Sequence, residues 1–338
     1  MMDFQTSPYL LQNVSVRRIM LYVLAALLPG IAAYVWQIGP AILIQITLAT
    51  LTALASEALM LKLRGKPLAL FLGDGSAVVT AWLIALTFPP LAPWWLIVAG
   101  TAFAIIVAKH LYGGLGQNPF NPAMVAFAVC IVSFPVLMSQ WPPAGLSASF
   151  SEQLAVIFGW APRIDAFSGA TALSELRNAL RYSKVLLPIE TIVADKKIFG
   201  SIAGRGWEWI SLAYLLGGLW LWRCKIIDWR QPLGFIAGLT LIAGAFWLFD
   251  AEGFASPLFH LFSGGAMLGA FFIITDPISG CTTPRGKLLF GFFAGLIAYV
   301  IRVFGGYPDG VAFAVLFLNI CVPLIDMHTQ PPVFGLRK

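Results

Sequence analysis

An all-α polytopic membrane protein is the fold class this sequence predicts, and three observations predict it. Of 338 residues, 59% are hydrophobic and only 11% are charged, against about 25% charged in an ordinary soluble domain, and the mean hydropathy is +0.85. Apolar windows of about 20 residues, the length that crosses a bilayer, recur along the chain. Lys and Arg collect at alternate ends of those windows. The formal charge of +6 therefore reads as a membrane-sidedness signal and not as a nucleic-acid surface.

Ten windows are predicted as transmembrane helices: 18–36, 40–62, 73–89, 91–112, 119–138, 207–223, 232–249, 257–276, 286–304 and 308–325. The third is short and Gly-flanked, which suits a broken or tilted helix. The start, Met1 to Val16, is polar, and the first apolar run has no clear cleavage site, so no signal peptide is expected. With the N-terminus inside, the basic residues inside are Arg17, Arg18, Lys62, Arg64, Lys66, Lys109, Arg223, Lys225, Arg230, Arg285, Lys287, Arg337 and Lys338. In the short outer loops and span ends only Arg302 appears. This bias puts both termini inside and the long polar loop 139–206 outside. Trp94, Trp95, Trp141, Trp207, Trp209, Trp222 and Trp229 fall near the predicted interfaces, where amphipathic rings belong.

The loop divides the chain into a first five-helix unit (1–138), the loop (139–206) and a second five-helix unit (207–338). The two units resemble each other. Residues 21–36 align with 210–222, 76–89 (SAVVTAWLIALTFP) with 264–277 (GGAMLGAFFIITDP), and Gly113-Gly114 with Gly305-Gly306. Apolar segments also resemble one another by chance, but the paired glycines and prolines favour a repeat. Five spans per unit would invert the second copy, and such folds bind ligands at helix breaks between repeats. The breaks here follow Gly113 and Gly305, and the amides of Asn118 and Asn121 are candidates to hold a planar polar ring or an ion.

The four cysteines, Cys130, Cys224, Cys281 and Cys321, lack metal-ligand spacing. An iron–sulfur cluster within this chain is not expected, since such clusters need four thiolates. There is also no dinucleotide fingerprint. Redox chemistry here would need partner subunits.

The loop carries the most specific motif. Residues 165–174 read Asp-Ala-Phe-Ser-Gly-Ala-Thr-Ala-Leu-Ser. The core Ser168-Gly169-Ala170-Thr171-x-Leu173, with Asp165 before it, is similar to the signal on which flavin transferases attach FMN, the threonine hydroxyl becoming a phosphoester. The bland reading is a Ser/Thr-rich turn in which Ser168 caps a helix and Glu175 lies on its first turns.

The wider pattern decides between them. Lys109-x-x-x-Gly113-Gly114-x-Gly116-x-Asn118-x-x-Asn121-Pro122-Ala123, then 165–174, then Thr275-Asp276-Pro277, resembles the D subunits of Rnf-type ion-translocating electron transport complexes. These are homologues of the B subunit of the sodium-pumping NADH:quinone reductase. The likeness covers nearly the whole chain. It implies a urea-transporter-like fold of about ten transmembrane helices in two inverted repeats, covalent FMN on Thr171 and a second, non-covalent flavin, riboflavin. It implies partners as well: the A-, B-, C-, E- and G-type subunits, among them a second FMN-bearing subunit and iron–sulfur subunits, and a flavin transferase. The function implied is electron transfer between NADH and ferredoxin, or another low-potential acceptor, coupled to H+ or Na+ translocation; the chain is not expected to act alone.

Other acidic groups at spans are Glu57, Asp276, Asp309 and Asp326. Intramembrane carboxylates are functional candidates by default. Asp309 and Asp326, at span ends, read as caps. Glu57 and Asp276 stay open between ion-path or flavin contact and capping. His110 and His260 read as interfacial, because no partner lies at metal spacing. Competing functions are a small-solute channel or transporter of the same fold, since fold does not fix function, and a scaffold with Thr171 unmodified.

Overall fold

In a computed structural model of the chain, the described residues are 15–146, 148–162, 168–182, 189–194 and 198–331. Among them the architecture is helical, with two isolated bridges, Trp141 to Gly169 and Phe199 to Gly204, and no sheet. The first unit holds α1 (Val16–Gln37), α2 (Ala41–Leu63), α3 (Leu68–Leu72), α4 (Ser76–Thr87), α5 (Trp94–Phe103, continued by a π-turn Ala104–His110), α6 (Pro122–Ser133) and α7 (Pro135–Met138). The loop forms α8 (Phe150–Phe158), α9 (Ala172–Tyr182) and α10 (Ile189–Val193). The second unit holds α11 (Trp207–Arg223), α12 (Arg230–Phe249), α13 (Pro257–Phe262), α14 (Ala266–Leu268, continued by a π-turn Gly269–Ile273), α15 (Pro284–Phe304) and α16 (Val311–Thr329).

Each of the ten apolar windows holds helix, and five helices are long and apolar enough to cross a membrane: α1, α2, α12, α15 and α16. Two windows, the eighth and the fifth, are interrupted. The third holds α4 alone, set off from the short α3 before it by Gly73-Asp74-Gly75, where Gly75 is left-handed (φ +79°). The eighth, expected to be continuous, breaks at Ser263-Gly264-Gly265, where Gly264 is left-handed (φ +61°). Only glycine adopts that conformation without steric cost. The fifth is cut at Pro135, which has no N–H to continue α6.

The packing pairs the two units. Helix α1 lies antiparallel to α11: Tyr22 stacks on Trp220 (5.4 Å) at one end, and Tyr34 meets Trp207 edge-on (5.8 Å) at the other. α6 touches α16, where the Asn121 N–H donates to Asn319 Oδ1 at 3.1 Å. Within the second unit α12 runs parallel to α15 on four glycines, Gly234, Gly238, Gly291 and Gly295. A Cβ on Gly238 would strike the Phe292 carbonyl, and one on Gly295 the Phe235 carbonyl. Apolar tails offer lipid-embedded helices no hydrophobic drive to associate, so small residues that let backbones touch carry the contact.

The basic residues gather at one end of the bundle, where Asp228 pairs with Arg230 (3.0 Å) and Lys287 (3.4 Å). Arg302, at the opposite end, is buried. It pairs with Asp309 at 3.2 Å and donates to the Ser263 carbonyl, also at 3.2 Å. That pairing explains why a lone arginine is tolerated there. Asp309 also accepts from the N–H of Gly265 (2.7 Å) and of Val311 (3.2 Å), so its capping role holds.

Candidate functional site

Two pockets lie at opposite ends of the bundle. The loop-side pocket is an open cleft lined by Tyr34, Phe127, Trp141, Thr171, Trp207 and Tyr214. The basic-end pocket, also an open cleft, is lined by Ser76, Lys109, Asn118, Asn121, Phe272 and Asp276. Met20 lines the second and Tyr34 the first; fourteen helical residues separate them, about 21 Å of rise. Tyr214 of one pocket and Phe272 of the other touch, with ring centroids 6.0 Å apart.

Thr171 starts α9. Its Oγ1 accepts from the Ser174 N–H (3.2 Å) and shares a hydrogen bond with Ser174 Oγ (2.9 Å), while its carbonyl takes the Glu175 N–H (2.8 Å). Thr171, and not the Ser168 of the bland reading, is therefore the helix cap. Capping and modification are compatible, because a helix N-terminus presents unpaired N–H groups and a positive dipole end to an anion such as a phosphate.

The rest of the motif frames it. Ser168 and Ala170 are exposed, and the Gly169 N–H donates to the Trp141 carbonyl (2.8 Å). Leu173 is buried in a small core with Leu176, Phe199 and Phe259. Arg177 donates to the carbonyl of Gly306, which ties α9 to the break after α15. Asp165 lies outside the described residues. The pocket also holds buried hydroxyls without partners among the described residues, on Tyr34, Tyr214 and Ser263. An aromatic, mostly apolar cleft with a few unsatisfied polar groups suits a planar heteroaromatic ring with polar edges.

At the basic end, Lys109 Nζ donates to Glu57 Oε1 (2.7 Å) and to Ser76 Oγ (2.9 Å), and His110 Nε2 stands 3.6 Å from the same carboxylate oxygen. Exposures of 2%, 2% and 4% for Glu57, Lys109 and His110 make this a fully buried cluster. His110 and His260 (3% exposed) are thus packed inside the protein and not interfacial. Ser76 is a site neighbour that the sequence alone did not single out, and His110, read there as interfacial, joins the cluster through its adjacency to Lys109.

Both amides line this pocket and also make contacts within the protein. Asn121 caps α6 by accepting from the N–H groups of Ala123 (3.0 Å) and Met124 (3.3 Å), and its NH2 donates to the Ile273 carbonyl (3.3 Å). Asn118 donates to the Phe120 carbonyl (3.0 Å). Asn121's polar atoms are thus engaged by the protein, which leaves Lys109 as the charged donor of this pocket. Asp276 lines the same pocket but holds its own turn, accepting from the N–H of Ile278 (3.2 Å) and from Ser279 Oγ (2.7 Å). Glu57 stands behind Lys109 and is not among the lining residues, so the two acids do not form one site.

The helices and their two opposed pockets define a polytopic helical protein with a pocket near each end of the bundle. The sequence matches the NQR2, RnfD, RnfE family over residues 3–335, and the chain belongs to that family. It is 49% identical to the D-type subunit of the ion-translocating oxidoreductase complex of Escherichia fergusonii over 98% of both chains. It has the same identity and coverage with the protein of that name from Escherichia coli O139:H28.

Proposed function

We propose that this chain is the flavin-carrying membrane subunit of an ion-translocating oxidoreductase complex, with FMN esterified to Thr171 and a second, non-covalent flavin, riboflavin, in the basic-end pocket. The observation that carries the reading is the position of Thr171. The hydroxyl of a motif similar to the flavin-attachment signal stands at a helix N-terminus and lines an aromatic pocket. A bound flavin supplies reversible electron storage. The chain's own groups do the rest. The α9 N-terminus receives the phosphate, Tyr34, Trp141 and Trp207 pack the ring and exclude water, and the unsatisfied hydroxyls orient its polar edge. At the other pocket Lys109 offers the charged contact.

The pairing of α1 with α11 and of α6 with α16, together with matching helix breaks at Gly75 and Gly264, supports ten spans in two inverted five-helix repeats of urea-transporter-like form. The pockets exchange places as such a repeat requires. One is lined by Ser76 and Thr275, the other by their sequence counterparts Gly264 and Thr87. Within the complex the electrons come from and pass to the A-, B-, C-, E- and G-type subunits, between NADH and ferredoxin or another low-potential acceptor, and their transfer drives H+ or Na+ across. A small-solute channel would need neither the motif nor the hydroxyl-lined pocket beside it.

The test uses the complex from native membranes. The denatured band of this chain should fluoresce under ultraviolet light, and acid extraction should release a second flavin from the native complex. A dark band with an intact mass equal to the bare chain would rule the reading out.

Sidedness follows from the charge bias. The loop-side pocket is periplasmic and the basic-end pocket cytoplasmic, in a bacterial inner membrane. Asn178 is exposed on α9. A cysteine placed there should react with a membrane-impermeant maleimide in spheroplasts, and reaction only after lysis would reverse the topology.

A further inference from the structure

We propose that Lys109 is a cation shared between Glu57 and the basic-end pocket, and that a negative charge gained by the pocket's ligand frees Glu57 to take up one proton. This rests on the reading that the pocket holds the second flavin, and it adds a coupling site to it.

The geometry carries the argument. An ammonium has three donors. Two are engaged, by Glu57 Oε1 and Ser76 Oγ, and the third has no protein acceptor among the described residues, while Lys109 lines the pocket. Glu57 Oε2 and both ring nitrogens of His110 make no hydrogen bond among the described residues, since 3.6 Å is too long for one. The titratable groups set against Glu57 are Lys109 and His110, both from the π-turn after α5; α4 contributes only the Ser76 hydroxyl.

Charge balance then dictates the response. At rest Glu57 and Lys109 cancel. When the complex's own electron donors deliver an electron to the ligand, the pocket becomes negative and competes for the ammonium. A buried carboxylate that loses its counter-charge is costly. One proton restores neutrality, and it enters past His110, whose neighbours Leu111 and Tyr112 are exposed. An ammonium, an imidazole and one hydroxyl form a proton-handling set, with no shell of oxygens for a metal ion. The alternative is a pair that serves packing alone, unchanged by the ligand's charge.

Reduced-minus-oxidised infrared difference spectra of the purified complex, with dithionite as reductant, separate these. Acid-extractable flavin is measured first; its absence from the wild type overturns the two-flavin reading and this proposal with it. With flavin present, reduction should raise a protonated-carboxyl band that shifts in D2O, disappears in Glu57→Gln and moves in Glu57→Asp. Lys109→Arg keeps the cation and should also displace the band, which covers the case in which the Glu57 variants fail to assemble. No band in the wild type, or a band unmoved in Glu57→Asp or in Lys109→Arg, overturns the proposal while leaving the two-flavin reading intact.

Discussion

Thr171→Ala should abolish the covalent flavin fluorescence of the chain completely, because the proposed phosphoester is on this one hydroxyl. The protein should still insert and fold. The loss of an N-cap costs about 1 kcal/mol, and Leu173, Leu176 and the Arg177 contact to Gly306 still hold α9 in place. Thr171→Ser preserves both the cap and the nucleophile, so it should retain part of the modification. In-gel fluorescence and intact mass check both variants. Full-strength fluorescence in the alanine variant would mean that the flavin is attached elsewhere, and the functional reading would have to be rebuilt around another residue.

The second large effect concerns α12 and α15. Gly238→Leu should prevent stable assembly, because the first added carbon already meets the backbone of Phe292, which cannot rotate away as a side chain would. Overpacking in a core typically costs about 1–3 kcal/mol; here the two helices must part along a seam of four glycines, so the upper end applies. Gly244→Ala on the same helix is the control, since its new carbon would come no closer than 3.7 Å to Pro257. Thermal unfolding of the detergent-purified chain, followed by size-exclusion, should show a lowered midpoint or aggregation for the first and wild-type behaviour for the second. Equal midpoints would mean that this seam does not set stability.

The helical windows were legible because burial in lipid demands long apolar runs, and five of the ten survive as helices long enough to cross a membrane. The breaks were less so. Gly73-Asp74-Gly75 contains a charge and flags itself, whereas Ser263-Gly264-Gly265 is small and nearly neutral, so hydropathy runs straight through it. Thr171 stood out because attachment chemistry is local in sequence. The Glu57–Lys109–His110 cluster did not, since 52 residues separate the acid from the lysine and only the parallel packing of α2 against α5 joins them. For Asn121 the sequence showed an amide beside a helix break but not that the same amide both lines the pocket and caps α6.

The contact between Tyr214 and Phe272 has a kinetic consequence. Electron tunnelling slows exponentially with the distance between donor and acceptor edges, and aromatic matter between them slows it least. Tyr214 lines the loop-side pocket, Phe272 lines the basic-end pocket, and their rings are in contact. Rings seated in both would exchange electrons through that contact inside a single polypeptide, with no diffusing carrier and no subunit boundary to cross. The hydrophobic mid-zone of the bilayer, a barrier to ions, would be for electrons the shortest part of the route.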